Sequence, residues 1–303
     1  MKTAIVTLSD AGYFHLLEEL VDSVHSFKES NSVSICVLDA GMKEEQLKII
    51  KSKVYSVKKA KWDISVNTFK VRGREWLKSM VSRAFLPDYF PEFEKYIWID
   101  ADAWINSWFA IDLLKQACEN NKLGIVSMAD RHTGRVLALK WIFKNISLIK
   151  SQNYKHAKAS GFSEEICRFV GTQPQLNSGV FSLQKSSPIW KIWQKNCKKS
   201  LSKGRIFASE QIAINISVYI DNVPVDILPY YCNWIPNIEN IKFDINKNKF
   251  VEGFTPNHEI GIVHLAGGLN VGEEDMRFNK NLKLKIHTTS NSFVDKSFRF
   301  NKN

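Results

Sequence analysis

Residues 96–105 read YIWIDADAWI, and two carboxylates, Asp100 and Asp102, stand there in otherwise apolar surroundings. Only Ala101 separates them. Tyr96, Ile97, Trp98 and Ile99 precede the pair, and Ala103, Trp104 and Ile105 follow it. Two like charges this close repel, and each is costly to take out of water without a partner. A bound cation is one arrangement that relieves both costs. Hard divalent ions such as Mg²⁺ and Mn²⁺ take oxygen ligands and often bind through one or two carboxylates plus substrate phosphates; Mn²⁺ also accepts an imidazole. An ion held here would neutralise charge building on a departing diphosphate. A bare acid–x–acid triplet is a weak signal, since 31 acids in 303 residues produce such pairs by chance. The apolar runs on both sides set this one apart.

Such acids work only if a rigid element presents them. KYIWID (95–100) predicts a strand ending on the first acid. TAIVTLS (3–9), VSICVLD (33–39), LGIVSMA (123–129) and QLNSGVFSL (175–183) predict further strands, with strand ends at PVDILP (224–229) and IGIVHLAGG (260–268). Between them lie helical patterns. Phe14, Leu17, Leu20, Val21, Val24 and Phe27 recur at helical spacing, and MKEEQLKIIKS (42–52), EWLKSMVSRAF (75–85), AIDLLKQACEN (110–120) and SPIWKIWQKNCKK (187–199) read as helices. The helix at 75–85 is expected to stop before Pro87. ASEQIAINISVYI (208–220) reads as helix or mixed. This alternation predicts one α/β domain over 1–270 with a mostly parallel sheet flanked by helices. Residues 131–172 are expected to form a partly helical insertion, and 271–303 a basic tail with few apolar anchors, an appendage to the domain. In open α/β sheets ligands gather at the carboxyl ends of strands. Asp10, Asp39, Asp100, Asp102 and His264 all fall at predicted strand ends.

Composition is that of an ordinary globular chain, 44% hydrophobic and 24% charged. There is no run of about 18 apolar residues that would span a membrane, and the apolar start at MKTAIVTLSD is too short for a signal peptide. Five scattered cysteines without a C-x-x-C spacing predict reduced thiols in a cytoplasm. The net charge of +11 would suit nucleic acid, an anionic membrane or an acidic substrate. Zinc-finger spacings, RNP-like motifs and helix-turn-helix signals are all missing, so nucleic acid is not expected as a partner. The cations are uneven: five Lys and no acid in 140–158, and seven Lys or Arg against Asp295 in 277–303.

Taken in order, IVTLSDAGY, ICVLDAGMKEEQ, SRAFLPDYF, YIWIDADAWI, LNSGVFSL, SEQIAIN and IVHLAGG resemble the family 8 glycosyltransferases, the group of glycogenin and the bacterial lipopolysaccharide galactosyl- and glucosyltransferases. The resemblance covers roughly residues 3–268. It implies the GT-A fold and a retaining transfer of a hexose-type sugar from a nucleotide donor, usually UDP-linked, to a saccharide acceptor. It also implies a metal site of Asp100, Asp102 and His264 holding Mn²⁺ or Mg²⁺. By the same resemblance Asp10 contacts the base and Tyr13 stacks on it. Arg83, Ala101, Ser178, Gly267 and Gly268 line the donor. Asn177 contacts the sugar, and Glu210 with Gln211 lies beside the anomeric carbon. Two departures stand out. The family commonly has Asp where Glu210 stands, and its Lys about six residues after the metal His is missing, with Asn270 near that place; Arg277, Lys280 or the metal alone is then expected to neutralise phosphate. Bacterial members often act on lipid-linked acceptors at the cytoplasmic face. The mixture of cations and aromatics in 276–303 therefore predicts peripheral association with an anionic membrane, and a tail that can be deleted without loss of donor hydrolysis. Two other readings remain at this stage. One is a non-catalytic binder of sugar nucleotides or anionic surfaces on the same fold. The other is a haloacid-dehalogenase-type phosphatase, which also places D-x-D after an apolar strand, though normally near the N-terminus and followed by Thr or Val.

Overall fold

The computed structural model describes residues 2–131, 138–236, 240–266, 270–271 and 274–301. A seven-stranded sheet forms the centre. Its strands are β1 (Thr3–Ser9), β2 (Ser34–Asp39), β3 (Ser56–Lys59), β4 (Lys95–Ile99), β6 (Leu123–Ser127), β9 (Leu176–Gln184) and β10 (Val225–Leu228), in the order β10-β6-β9-β4-β1-β2-β3. All neighbours run parallel except β9, which is antiparallel to both β4 and β6. Every residue of β1 and β4 is buried, as expected of strands covered on both faces. Successive side chains alternate between two cores. Ile5, Val37, Ile97 and Ile99 join one; Val6, Leu38, Tyr96 and Trp98 join the other.

Helices α1 (Phe14–His25), α2 (Glu44–Lys53), α3 (Ser79–Ser82), α4 (Phe109–Ala117), α7 (Ile189–Lys203) and α8 (Ser209–Tyr219) pack around this sheet, while α5 (Gln152–Ala159) and α6 (Glu164–Gly171) pack on α8 in a small core of their own. The stretch expected as one helix at 75–85 is instead a chain of short turns: a 3₁₀ turn at Glu75–Lys78, α3, and a second 3₁₀ turn at Arg83–Phe85. Pro87 does not end it but sits in the first turn of the next helical segment, Leu86–Tyr89, where its missing N–H costs nothing. The ambiguous stretch at 208–220 is helical from Ser209 to Tyr219.

Small antiparallel pairs complete the fold. β5 (Ala103–Ile105) pairs with β13 (Ile262–His264). β11 (Ile241–Asp244) pairs with β12 (Lys249–Glu252). Within the insertion, β7 (Ala138–Phe143) and β8 (Ile146–Lys150) form a hairpin ahead of α5 and α6. The C-terminal segment carries the hairpin β14 (Leu284–His287) and β15 (Phe293–Lys296). Its expected character as an appendage does not hold. Met276, Leu284, Ile286 and Phe298 are buried in the same core as Ile5 and Ile97, and Arg299 is buried in an ion pair with Glu19 at 2.6 Å.

Candidate active site

Strand register brings the predicted residues together. β4 delivers Asp100, whose backbone N–H donates to Gly179 O of β9 at 2.9 Å. The chain then turns through Ala101, which is buried, and Asp102 into β5. His264 lies opposite Ala103 in the β5–β13 pair, and Leu265 N–H donates to Asp102 O at 2.8 Å. A histidine 162 positions later in the sequence is thereby locked beside the acid pair. One donor atom from each of Asp100, Asp102 and His264 lies within 4.8 Å of the others. His264 Nε2 is 3.3 Å from Asp102 Oδ1 and 3.7 Å from Asp100 Oδ2.

The other imidazole nitrogen anchors the ring. Nδ1 meets Asn233 Oδ1 at 2.8 Å, so Nε2 is the nitrogen turned to the acids, where it would ligate an ion once deprotonated. Gly179 allows the close approach. A Cβ there would fall 2.5 Å from His264 Cε1 and 2.8 Å from Asp100 Oδ2. Two carboxylate oxygens and an imidazole nitrogen around such a cradle fit Mn²⁺, and Mg²⁺ through the oxygens. The electrostatics agree. Burial raises the Asp100 carboxyl, against the pull of Arg83 and His264. Burial also opposes ionisation of Asp102, but His264 and Arg277 outweigh it and its pKa is lowered. Burial alone would lower His264, yet Asp102 and Asp100 hold it raised. The pocket is thus built to stabilise a positive charge between two acids.

A second cluster abuts the first. Arg83 is buried, and its guanidinium forks between two acids: Nη2 donates to Asp100 Oδ1 at 2.5 Å and Nη1 to Glu210 Oε1 at 2.8 Å. Nη1 also donates to Ser178 Oγ at 3.1 Å, and that hydroxyl donates to Glu210 Oε1 at 3.0 Å. Trp98 Nε1 donates to Asp100 Oδ1 at 2.8 Å, and the guanidinium lies 5.0 Å over the Trp98 ring. Arg83 is therefore no surface cation. It ties the acid pair to the start of α8. Burial raises the Glu210 carboxyl despite Arg83. Gln211 Oε1 is 3.5 Å from Ser178 Oγ. Asn177 Oδ1 accepts from Gly179 N–H at 2.7 Å. Arg83 Nε, Glu210 Oε2 and Asn233 Nδ2 are buried with no hydrogen-bond partner among the described residues, which calls for an explanation such as a bound ion or ligand.

Asp10 and Tyr13 lie where β1 runs into α1. Asp10 Oδ1 accepts from the backbone N–H of Gly12 and Tyr13 at 3.0 and 3.1 Å. Tyr13 packs edge-to-face on Phe278 at 5.9 Å, and its hydroxyl accepts from Arg277 Nη1 at 2.9 Å. Of the two cations expected to replace the missing Lys, Arg277 is the one on the Asp102 side, itself paired with Asp275 at 2.6 Å; Lys280 is turned to Glu19 at 3.6 Å. Gly267 and Gly268 lie outside the described residues. Asp39 caps the turn after β2 through Gly41 and Met42 N–H and joins neither cluster. Sequence reasoning missed Gly179 and Asn233. The Gly of LNSG offered a signal for the first; nothing local marks Asn233.

The chain matches the profile of the family described as Glycosyl transferase family 8 over residues 4–184. No curated protein sequence matches it. Among solved structures it is similar to the galactosyltransferase LgtC in complex with donor and acceptor sugar analogues, at 15% identity and a TM-score of 0.50 over 87% of each chain. An active-site mutant of LgtC matches at 16% identity and 0.53, again over 87% of each chain. The apo structure of the bifunctional glycosyltransferase WbbM matches at 14% and 0.53, over 91% of this chain and 48% of that one. At such identities the likeness shows the fold, GT-A, with its mostly parallel sheet flanked by helices. The activity follows from the family, whose match takes in more than half of the sequence, Asp100 and Asp102 among it, and sets the phosphatase and pure-binder readings aside: the chain belongs to glycosyl transferase family 8 and is a glycosyltransferase.

Proposed function

We propose that this glycosyltransferase is metal-dependent and retaining, and moves a hexose-type sugar from a UDP-linked donor to a saccharide acceptor of a bacterial surface glycan. The observation that carries the reading is the Asp100–Asp102–His264 group, with its donor atoms within 4.8 Å and the Arg83–Glu210 pair fastened to it. Mn²⁺, or Mg²⁺, bound there supplies charge neutralisation for a leaving diphosphate. The chain's own residues do the rest. Arg83 holds Asp100 in place and keeps positive charge at the donor. Arg277, beside Tyr13 and paired with Asp275 at 2.6 Å, adds a second guanidinium on the Asp102 side. Asp10 shapes the turn that presents Tyr13 to a base. Asn177, Ser178, Glu210 and Gln211 form the polar wall assigned to the sugar, with Glu210 placed to stabilise positive charge at the anomeric carbon.

Five buried, unpaired thiols support a cytoplasmic setting. No helix among the described residues is long and apolar enough to cross a membrane. Peripheral contact with an anionic leaflet, and thence a lipid-linked acceptor, is supported by the β7–β8 hairpin. Trp141 and Phe143 are 62% and 69% exposed there, beside Lys140 and Lys144.

The test is hydrolysis of UDP-, GDP- and dTDP-sugars with Mn²⁺. The UDP-sugars should be hydrolysed fastest, EDTA should abolish the reaction, and Asp100→Asn should remove nearly all of it. Full activity in EDTA would overturn metal dependence.

A further inference from the structure

An open cleft of about 750 Å³ lies between the segment from Phe69 to Trp76 and the segment from Lys203 to Phe207. That volume is within the roughly 300–1,000 Å³ of small-molecule sites. Its lining is one-signed: Lys70, Arg72, Arg74, Lys203 and Arg205 contribute cations, and among the described residues no acid lines it. Lys70 Nζ donates to Gly204 O at 2.9 Å and fastens one wall to the other. Arg74 donates to the backbone carbonyls of Val71 and Lys70, so its charge is oriented but not neutralised. The guanidinium of Arg72 lies 5.0 Å over the Phe69 ring. The field reaches the neighbouring α5, where burial and then the charges of Lys155 and Arg205 push the His156 imidazole down. A cleft lined by one sign of charge focuses the field and raises the local concentration of anions.

The cleft also offers flat apolar faces. Trp76 and Phe207 meet edge-to-face at 6.2 Å, and Phe207 is 58% exposed. Rings beside fixed polar groups are the lining of sites that hold amphipathic ligands such as sugars. Both walls are continuous along the chain with residues of the candidate active site. Phe207 stands three residues before Glu210, and Ser209 Oγ donates back to Ile206 O at 2.7 Å where α8 begins. Trp76 leads through α3 to Arg83.

We infer that this cleft receives an anionic saccharide acceptor, with its phosphate or carboxylate groups on Arg72, Arg74, Lys203 and Arg205 and a sugar face on Phe207. The inference rests on the glycosyltransferase reading above and adds the charge class of the acceptor. A membrane surface fits less well, since the cations line a concave cleft.

The probes are an oligomannose carrying a terminal phosphate monoester, an oligogalacturonate and neutral oligomannose, each titrated calorimetrically into the whole protein without donor or metal. Charge-assisted hydrogen bonds at two or more cations should make at least one anionic probe bind about tenfold or more tighter than the neutral one. The tighter of the two identifies the anionic group. The Arg72→Gln/Arg205→Gln variant should lose that preference. A charge-matched control, Lys48→Gln/Lys51→Gln on the exposed face of α2, should keep it. Equal binding of charged and neutral probes, or a preference that survives in the Arg72/Arg205 variant, would overturn the inference. So would vesicles of phosphatidylglycerol that displace the probe and lose their own binding in that variant. Donor hydrolysis by the unaltered protein is read separately, so a failed enzyme reading and a failed cleft are distinguishable.

Discussion

Gly179 controls how tightly the metal-type site can close. Its N–H and C=O are both committed, to Asn177 Oδ1 and from Asp100 N–H, and its missing side chain leaves the room in which His264 meets Asp100. In Gly179→Ala either the imidazole or the carboxylate must move. Repositioning of supporting groups costs about 10–100-fold in metal affinity, so Mn²⁺ titration should show a loss of that size, with about 1–3 kcal/mol of stability lost to overpacking. Wild-type Mn²⁺ affinity in Gly179→Ala would remove the cradle from the site. Glu210 makes a separate claim. It is buried, bonded to Arg83 and Ser178, and has one oxygen without a partner. If that oxygen faces developing positive charge, Glu210→Gln should lower turnover by about a hundredfold, the scale of one electrostatic group at a reacting centre, while KM for the donor changes little. A variant that melts lower but turns over normally would reduce Glu210 to a prop for Arg83. At this scale the sequence was legible where chemistry is local. Asp100 and Asp102 announce themselves because two acids interrupt an apolar strand. Asn233 does not, because its importance comes from a bond to His264 that only the β5–β13 pairing creates. Arg83 was assigned to the donor only by resemblance, and its fork between Asp100 and Glu210 was not legible, because helical spacing says nothing about which face an acid pair will cover.

Elements were readable in proportion to how purely the sheet decides them. β1, β2 and β4 are mostly apolar and buried along their middles, and were placed within a residue or so, because burial on both faces leaves little other reading. The segment 75–89 was less regular than its pattern. Its turns are set by packing against the core and by Pro87, which starts a turn as readily as it ends one. The β7–β8 hairpin was not foreseen as a hairpin at all, since exposed apolar residues break the rule by which strands are recognised. That exposure is itself informative. Trp141, Ile142, Phe143, Ile146 and Leu148 are all exposed, in a stretch with Lys140, Lys144 and Lys150 and no acid. An isolated hairpin is marginal in water, and apolar patches of this kind mark interaction sites. Cations near an anionic leaflet contribute about 1 kcal/mol each, and aromatic residues enter the interface. Trp141→Ser/Phe143→Ser should therefore abolish sedimentation with phosphatidylglycerol-containing vesicles, and should leave the melting temperature almost unchanged, since neither side chain is in the core. Binding that survives in this variant would assign the membrane contact elsewhere.

The molecule as a whole is held closed by its own C-terminus. Read as sequence, residues 276–303 look like a detachable basic tail, because their apolar residues are sparse and irregularly spaced. In three dimensions sparse anchors suffice when each fills a prepared hole. Met276, Leu284, Ile286 and Phe298 are buried, and Phe298 O accepts from Trp104 Nε1 at 2.7 Å, directly behind the acid pair. Each such side chain contributes about 1.5–3 kcal/mol, so together they match much of a typical net stability of about 5–15 kcal/mol. Electrostatics points the same way. Arg299 donates to both carboxylate oxygens of Glu19 at 2.6 and 2.7 Å, and removing one partner of a buried ion pair costs about 3–5 kcal/mol. Arg277, the cation beside Tyr13, belongs to the same segment. Deletion of residues 276–303 should therefore not yield a soluble enzyme freed from membranes. It should yield an aggregated chain, or one whose melting temperature falls by tens of degrees and whose UDP-sugar hydrolysis is lost. Arg299→Met tests the polar part of this contact: Glu19 keeps only the more distant Lys280 at 3.6 Å, and the carbonyls of Met276 and Arg277 lose a donor, so the urea midpoint should fall by an amount worth about 3 kcal/mol. A deletion variant that melts like the full chain would show that the burial of Phe298 and its neighbours contributes little to the fold.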